Sequence, residues 1–178
     1  MLESDEAAAA NSQGVRMAQD ITRRLRFSNE GAEQIVALVA NHMRFKDVEQ
    51  MRTSTLKRFV RLPRFDEHLE LHRLDCQSSH RRLDSYGFVT RTLAETPAEK
   101  IRPARLLTGD DLREMGYKPG PLFKEILAAV EDAQLENHLE SREQAQKFVQ
   151  RQFGAGKRQA MRKQGQLKAL RTSAPTSR

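Results

Sequence analysis

The stretch from Thr108 to Leu127, TGDDLREMGYKPGPLFKEIL, constrains this chain most, because it admits a helix, a tight turn and a second helix and little else. Thr108 and Asp111 have the spacing of a capping box, in which each side chain satisfies an amide that the first helical turn leaves open. Gly116 follows the last apolar position, Met115, and ends that helix by entering the left-handed region without a Cβ clash. Lys118-Pro119-Gly120-Pro121 makes a rigid corner, and Pro121 suits the first residue of the next helix, where a missing N–H costs nothing. Leu122, Phe123, Ile126, Leu127 and Val130 then recur at helical spacing. No segment alternates as a half-buried strand does, and Arg, Leu, Ala, Glu and Gln dominate, which favours helix. The expected fold is all-α: a helical bundle, then this helix-turn-helix module, then a basic tail.

In chain order, residues 1–13 carry four consecutive alanines but no periodicity, and a disordered start is expected there. A helix from Gly14 places Ala18, Ile21 and Leu25 on one stripe, and Ser28 caps a stronger one with Ile35, Leu38, Val39 and His42 on its apolar face. A short polar helix is expected after Lys46, another over Thr55–Leu62 until Pro63 forbids continuation, and a third over Phe65–Cys76. On the last, His68, His72 and Asp75 share a face at a spacing that suits a metal as well as a core, and the core reading is preferred. Leu83, Tyr86, Val89 and Leu93 mark the inner side of Arg82–Glu95. Residues 14–95 are read as the bundle, 96–105 with Pro97 and Pro103 as a linker, 106–153 as the C-terminal helical module and 154–178 as the tail. Within the module, Ser141 and Gln144 form a second capping box, opening a helix whose Ala145, Phe148 and Val149 pack back and which Gly154 closes.

The net charge of +7 is concentrated. From Gln144 to Arg178 there are nine of the chain's 31 lysines and arginines and none of its 24 acids. Such asymmetry suits a polyanionic partner, and equally a solvated tail. With one cysteine, no run of eighteen apolar residues and no signal-peptide pattern, a cytoplasmic protein without membrane contact is expected. The constellations of catalysis are missing. Gly154-Ala155-Gly156-Lys157 lacks the full spacing of a phosphate loop, and Asp110 and Asp111, about 100° apart on a helix, diverge too far to hold one divalent ion. They are read as a cap and as partners of the helix dipole. No catalytic or metal-ligating residue is assigned. The start of the helix at Pro121, with Gly120, Lys118 and Lys124, can receive a phosphate; the competing reading is a hairpin whose glycine allows close helix packing.

Three stretches together resemble the CCA-adding tRNA nucleotidyltransferases and their bacterial poly(A) polymerase relatives. They are GVRMAQDITRRLRFSNEGAEQIVALVANHMRF (Gly14–Phe45), LELHRLDCQSSHRRLDSYGFV (Leu69–Val89) and LLTGDDLREMGYKPGPLFKEILAAVEDAQLENHLESREQA (Leu106–Ala145). In the expected order, they fall within residues 14–145, a span of about three quarters of the chain. The family's catalytic head, with its Gly-Ser loop and paired Asp-x-Asp carboxylates, has no counterpart here, so its magnesium and nucleoside triphosphates are not expected as cofactors of this chain, which alone is expected to be inactive. The resemblance implies an RNA-binding helical region that holds RNA, tRNA in particular, while a head acts on the 3′ end. The helix start and the basic stretch supply the expected phosphate contacts: Lys118, Gly120, Lys124, Arg151, Lys157, Arg158, Arg162 and Lys163. A protein-interaction module that docks a separately encoded nucleotidyltransferase head is the alternative. Whether the parent activity is CCA or poly(A) addition belongs to the head.

Overall fold

A computed structural model describes residues 2–79 and 81–154, with side chains from residue 11 onward. Among the described residues the chain is helical, with no strand. It divides into two compact units between Ile101 and Arg102.

In the first unit, α1 (Leu2–Arg24) packs along α2 (Asn29–Asn41). The helix begins at Leu2, within the 1–13 stretch where a disordered start is expected from sequence. Alanine has the highest intrinsic helix propensity, so the alanine run needs no apolar stripe to be helical. The stripe assigned to this helix is also rotated. Ala18 and Thr22 are the buried pair, the Thr22 hydroxyl donating back to Ala18 O at 2.8 Å, whereas Met17, Ile21 and Leu25 are 43–60% exposed. The helix closes on Arg26 in the left-handed region (φ 55°), where Phe27 N donates to Thr22 O and Arg26 N to Arg23 O. That is the hydrogen-bond pattern of a glycine-type helix end built on an arginine. Ser28 caps α2 as expected, accepting from Gly31 N at 3.2 Å.

The polar helix expected after Lys46 is a 3-10 segment, His42–Gln50, whose Phe45 and Val48 are fully buried. Three residues apart, they stack on one side of a helix with three residues per turn. Its neighbours are α3 (Thr53–Phe59), α4 (Phe65–Ser78), α5 (Asp84–Glu95) and the short α6 (Ala98–Ile101). The last lies inside the expected linker; Ile101 packs on the unit's core and so carries its turn. That core is aromatic at its centre. The Phe45 and Phe59 rings meet edge-on at 4.9 Å, Phe59 and Phe65 at 5.3 Å, and the Arg44 guanidinium lies 4.4 Å from the Phe59 centroid.

The second unit contains α7 (Gly109–Glu114), α8 (Pro121–Leu135) and a helix over 142–154, here α9. The capping box on α7 is formed in full, with Thr108 N donating to Asp111 Oδ2 at 2.6 Å and Asp111 N to Thr108 Oγ1 at 3.4 Å. Gly116 at φ 81° closes the helix, and Pro121 opens α8. Leu112, Ile126, Val130, Ala145 and Val149 form the core with Tyr117, whose hydroxyl donates to Val149 O at 3.4 Å. The box at α9 is shifted by one residue: Ser141 Oγ accepts from Gln144 N, but Gln144 Oε1 accepts from Glu140 N instead of Ser141 N. Residues 151–154 are helical, and the stop expected at Gly154 falls at the last of the described residues.

Candidate functional site

Function in the second unit is best sought at the start of α8, where two bases and an open helix end meet. A cleft of about 500 Å³ lies between the 105–107 segment and one side of α8. Phe123, Leu127, Glu131 and Gln134 recur on that side at helical spacing, with Gly120 and Lys124 at its N-terminal end. Gln134 Nε2 donates to Ala104 O at 2.7 Å and so ties the opposite wall, Arg105–Leu107, against the helix. No side chain caps α8, and no acid stands in its first turn. Pro121 has no N–H and Phe123 N donates to Gly120 O at 3.0 Å, so what α8 offers an anion at its start is the Leu122 amide and the positive end of the dipole.

Gly120 is extended (φ 163°), and a Cβ built on it meets nothing within 4 Å. Close helix packing is therefore not what a glycine does here. Of the residues assigned from sequence, the structure brings Gly120 and Lys124 together in the cleft. Lys118, before the corner, and Arg151, on α9, are exposed and do not line it. Lys157, Arg158, Arg162 and Lys163 lie outside the described residues. Arg105, which also lines the cleft, falls at the end of the expected linker, and in the sequence only its position beside the apolar pair Leu106-Leu107 signals that it borders packed structure.

Two other bases in this unit are engaged in ion pairs. Arg113 pairs with Asp110 at 2.6 Å, and Arg142 with Asp111 at 2.5 Å and Glu114 at 3.5 Å. The Asp111 carboxyl is held below the usual carboxylate range, chiefly by hydrogen bonds from the Thr108 side chain and backbone and to a lesser degree by Arg142. It is a cap, as expected. Among the described residues Arg105 and Lys124 make no ion pair, which leaves them as the cations of the cleft.

A second cleft, of about 870 Å³, lies in the first unit and is bordered by His42, His72, Asp75, Cys76 and Arg82. Its groups are already committed to one another. His42 Nδ1 is 2.6 Å from Val39 O, His72 stacks on Phe45 at 4.4 Å and sits 3.5 Å from Cys76 Sγ, and Arg82 pairs with Asp84 at 3.1 Å. Burial pushes the Cys76 thiol up and Asp75 pushes it further, so it is a poor nucleophile. His68, the third member of the possible metal face, points away into the core at 2% exposure. Among the described residues no group of three ligands can hold a metal ion, and no helix is long and apolar enough to cross a membrane.

Fold and cleft define an all-α, two-unit protein with a basic cleft at a helix N-terminus. Over 48 residues the chain is 48% identical to the A-adding tRNA nucleotidyltransferase of Halalkalibacterium halodurans, a stretch making up 27% of this chain and 11% of that protein. The chain thus spans about a tenth of the length of the curated relative it matches. This similarity supports a relationship to the tRNA nucleotidyltransferases. No family model matches the chain, and no solved structure matches it.

Proposed function

We propose that this chain is an RNA-binding helical region of a CCA-adding tRNA nucleotidyltransferase or poly(A) polymerase-like protein, acting in the cytoplasm. It holds tRNA by shape and phosphate charge while a head outside these 178 residues adds nucleotides. The observation that carries this reading is the basic cleft at the uncapped start of α8, with Arg105 and Lys124 at its mouth, in a chain similar to a tRNA nucleotidyltransferase. Duplex RNA is recognised mainly through its backbone and 2′-hydroxyls, and a cationic helical surface supplies the matching attraction. Lys118 and Arg151 extend that surface, and the basic residues 157–178 add to its charge.

Filter binding of tRNA tests it. With three phosphates engaged, affinity is expected to fall roughly 40-fold between 50 and 200 mM salt. Truncation after Gly154 weakens binding most, and Lys118→Glu with Lys124→Glu weakens it further. No affinity, or an affinity indifferent to salt, overturns the reading. With ATP, CTP and magnesium the chain alone is expected to yield no extended RNA.

A second reading has one observation in its favour. Met17, Ile21 and Leu25 form an exposed apolar stripe along α1, as expected of a module that docks a separately encoded nucleotidyltransferase head. Copurification with such a head, lost on Ile21→Asp, favours this reading over direct RNA holding.

A further inference from the structure

The cleft beside α8 is larger and more apolar within than a phosphate contact needs. A phosphate on a helix end asks only for amides and cations at the surface. Here Leu106, Phe123 and Leu127 form an inner wall, and Phe123, half-buried, is backed by the first residue of α7: a Cβ on Gly109 would lie 3.8 Å from the ring. Duplex RNA, its bases stacked and paired, has nothing apolar to place against that wall. An unpaired nucleotide does.

We propose that this cleft seats one unstacked nucleotide of the bound RNA, its base against Phe123 and Leu127 and its phosphate at Gly120, Lys124 and Arg105. The volume, about 500 Å³, lies within the range of pockets that enclose a small ligand. The arrangement also has a direction. Glu131 follows Lys124 by two turns of α8, about 10 Å along the axis, and its carboxylate accepts hydrogen bonds but repels phosphate. The anionic end of the nucleotide therefore belongs at the start of α8, and its N–H or O–H donors, on base edge or ribose, at Glu131. Base stacking on an aromatic ring tolerates any sequence, so the site selects an unpaired position more than a particular base.

This proposal rests on the RNA-holding reading, and its test separates the two. Affinities of the full chain are measured for a single-stranded RNA and for a blunt duplex with the same number of phosphates, and free AMP is titrated separately. Phe123→Leu is expected to weaken single-stranded binding about tenfold, the loss of one base stack, and to leave duplex affinity and the salt slope unchanged. Lys124→Gln weakens both RNAs and lowers the slope by about one. Ala128→Leu, which obstructs the cleft from its exposed wall, repeats the Phe123→Leu result without touching the core and covers the case in which Phe123→Leu disturbs folding. Phe123→Leu and Ala128→Leu variants that both weaken the two RNAs equally, or weaken neither, overturn the nucleotide seat while leaving RNA binding intact. AMP bound as tightly as the single strand overturns it in favour of a free-nucleotide site. Absence of binding to either RNA sinks the RNA-holding reading itself.

Discussion

His68 shows what one residue can hide from its sequence. It lies on the expected helix, but its side chain is 2% exposed and, among the described residues, both ring nitrogens lack a hydrogen-bond partner. Helical spacing identified the face it shares with His72 and Asp75; only tertiary packing decides that the ring turns inward, beside Phe65 at 6.4 Å. Burial lowers its pKa, an effect that Arg44 reinforces and that Glu67 and Asp66 oppose. The unfolded chain takes up a proton below about pH 6.5, whereas the folded imidazole does so only at lower pH. Stability is therefore complete above that value and is lost progressively as pH falls from there to the folded pKa. His68→Leu removes the titration and two buried polar atoms. Thermal melts at pH 7.5 and 5.5 should show a smaller acid-side drop in Tm for the variant than for the parent, with a gain at pH 5.5 of about 1–2 kcal/mol. An equal drop in both would clear His68 of the effect.

At the scale of elements, whatever depends on neighbours in sequence was legible and whatever depends on burial was not. The Ser28 cap, the Thr108–Asp111 box, the Gly116 stop and the Pro121 start are local and were all read from spacing. The 3-10 segment at His42–Gln50 looks polar in one dimension, and only the aromatic core that receives Phe45 accounts for it. Around the α7–α8 corner, two glycines separate these cases. Gly116 sits at φ 81°, where a side chain is strained, whereas Gly120 is extended with open space at its Cβ position. Gly116→Ala is expected to lower stability by about 1 kcal/mol, and Gly120→Ala to leave it unchanged within about 0.5 kcal/mol. Urea unfolding of both variants checks the contrast. The candidate cleft divides the same way: Gly120 and Lys124 were legible because they flank a helix start, and Arg105 was not because Gln134, far along the chain, fixes its segment in place.

On the scale of the molecule, the two units have separate cores that share no residue, and charge, not packing, is the property that the sequence distributed most plainly. The apolar stripe of α1 is the counter-example. Ile21 and Leu25 have the spacing of buried residues yet face outward, and Ala18 and Thr22 are buried in their place. One local feature also bears on the whole. Arg26, Arg64 and Arg81 all occupy the left-handed region (φ 50–58°), which favours glycine. Arg26→Gly should raise Tm by a few degrees, corresponding to about 0.5–1 kcal/mol, while removing a positive charge; calorimetry and tRNA binding on one sample measure both effects. A heat-hardened version of this protein made by relaxing its helix ends would thus be a less cationic one, and a screen that rewarded melting temperature alone would breed out the attraction on which a polyanionic partner depends.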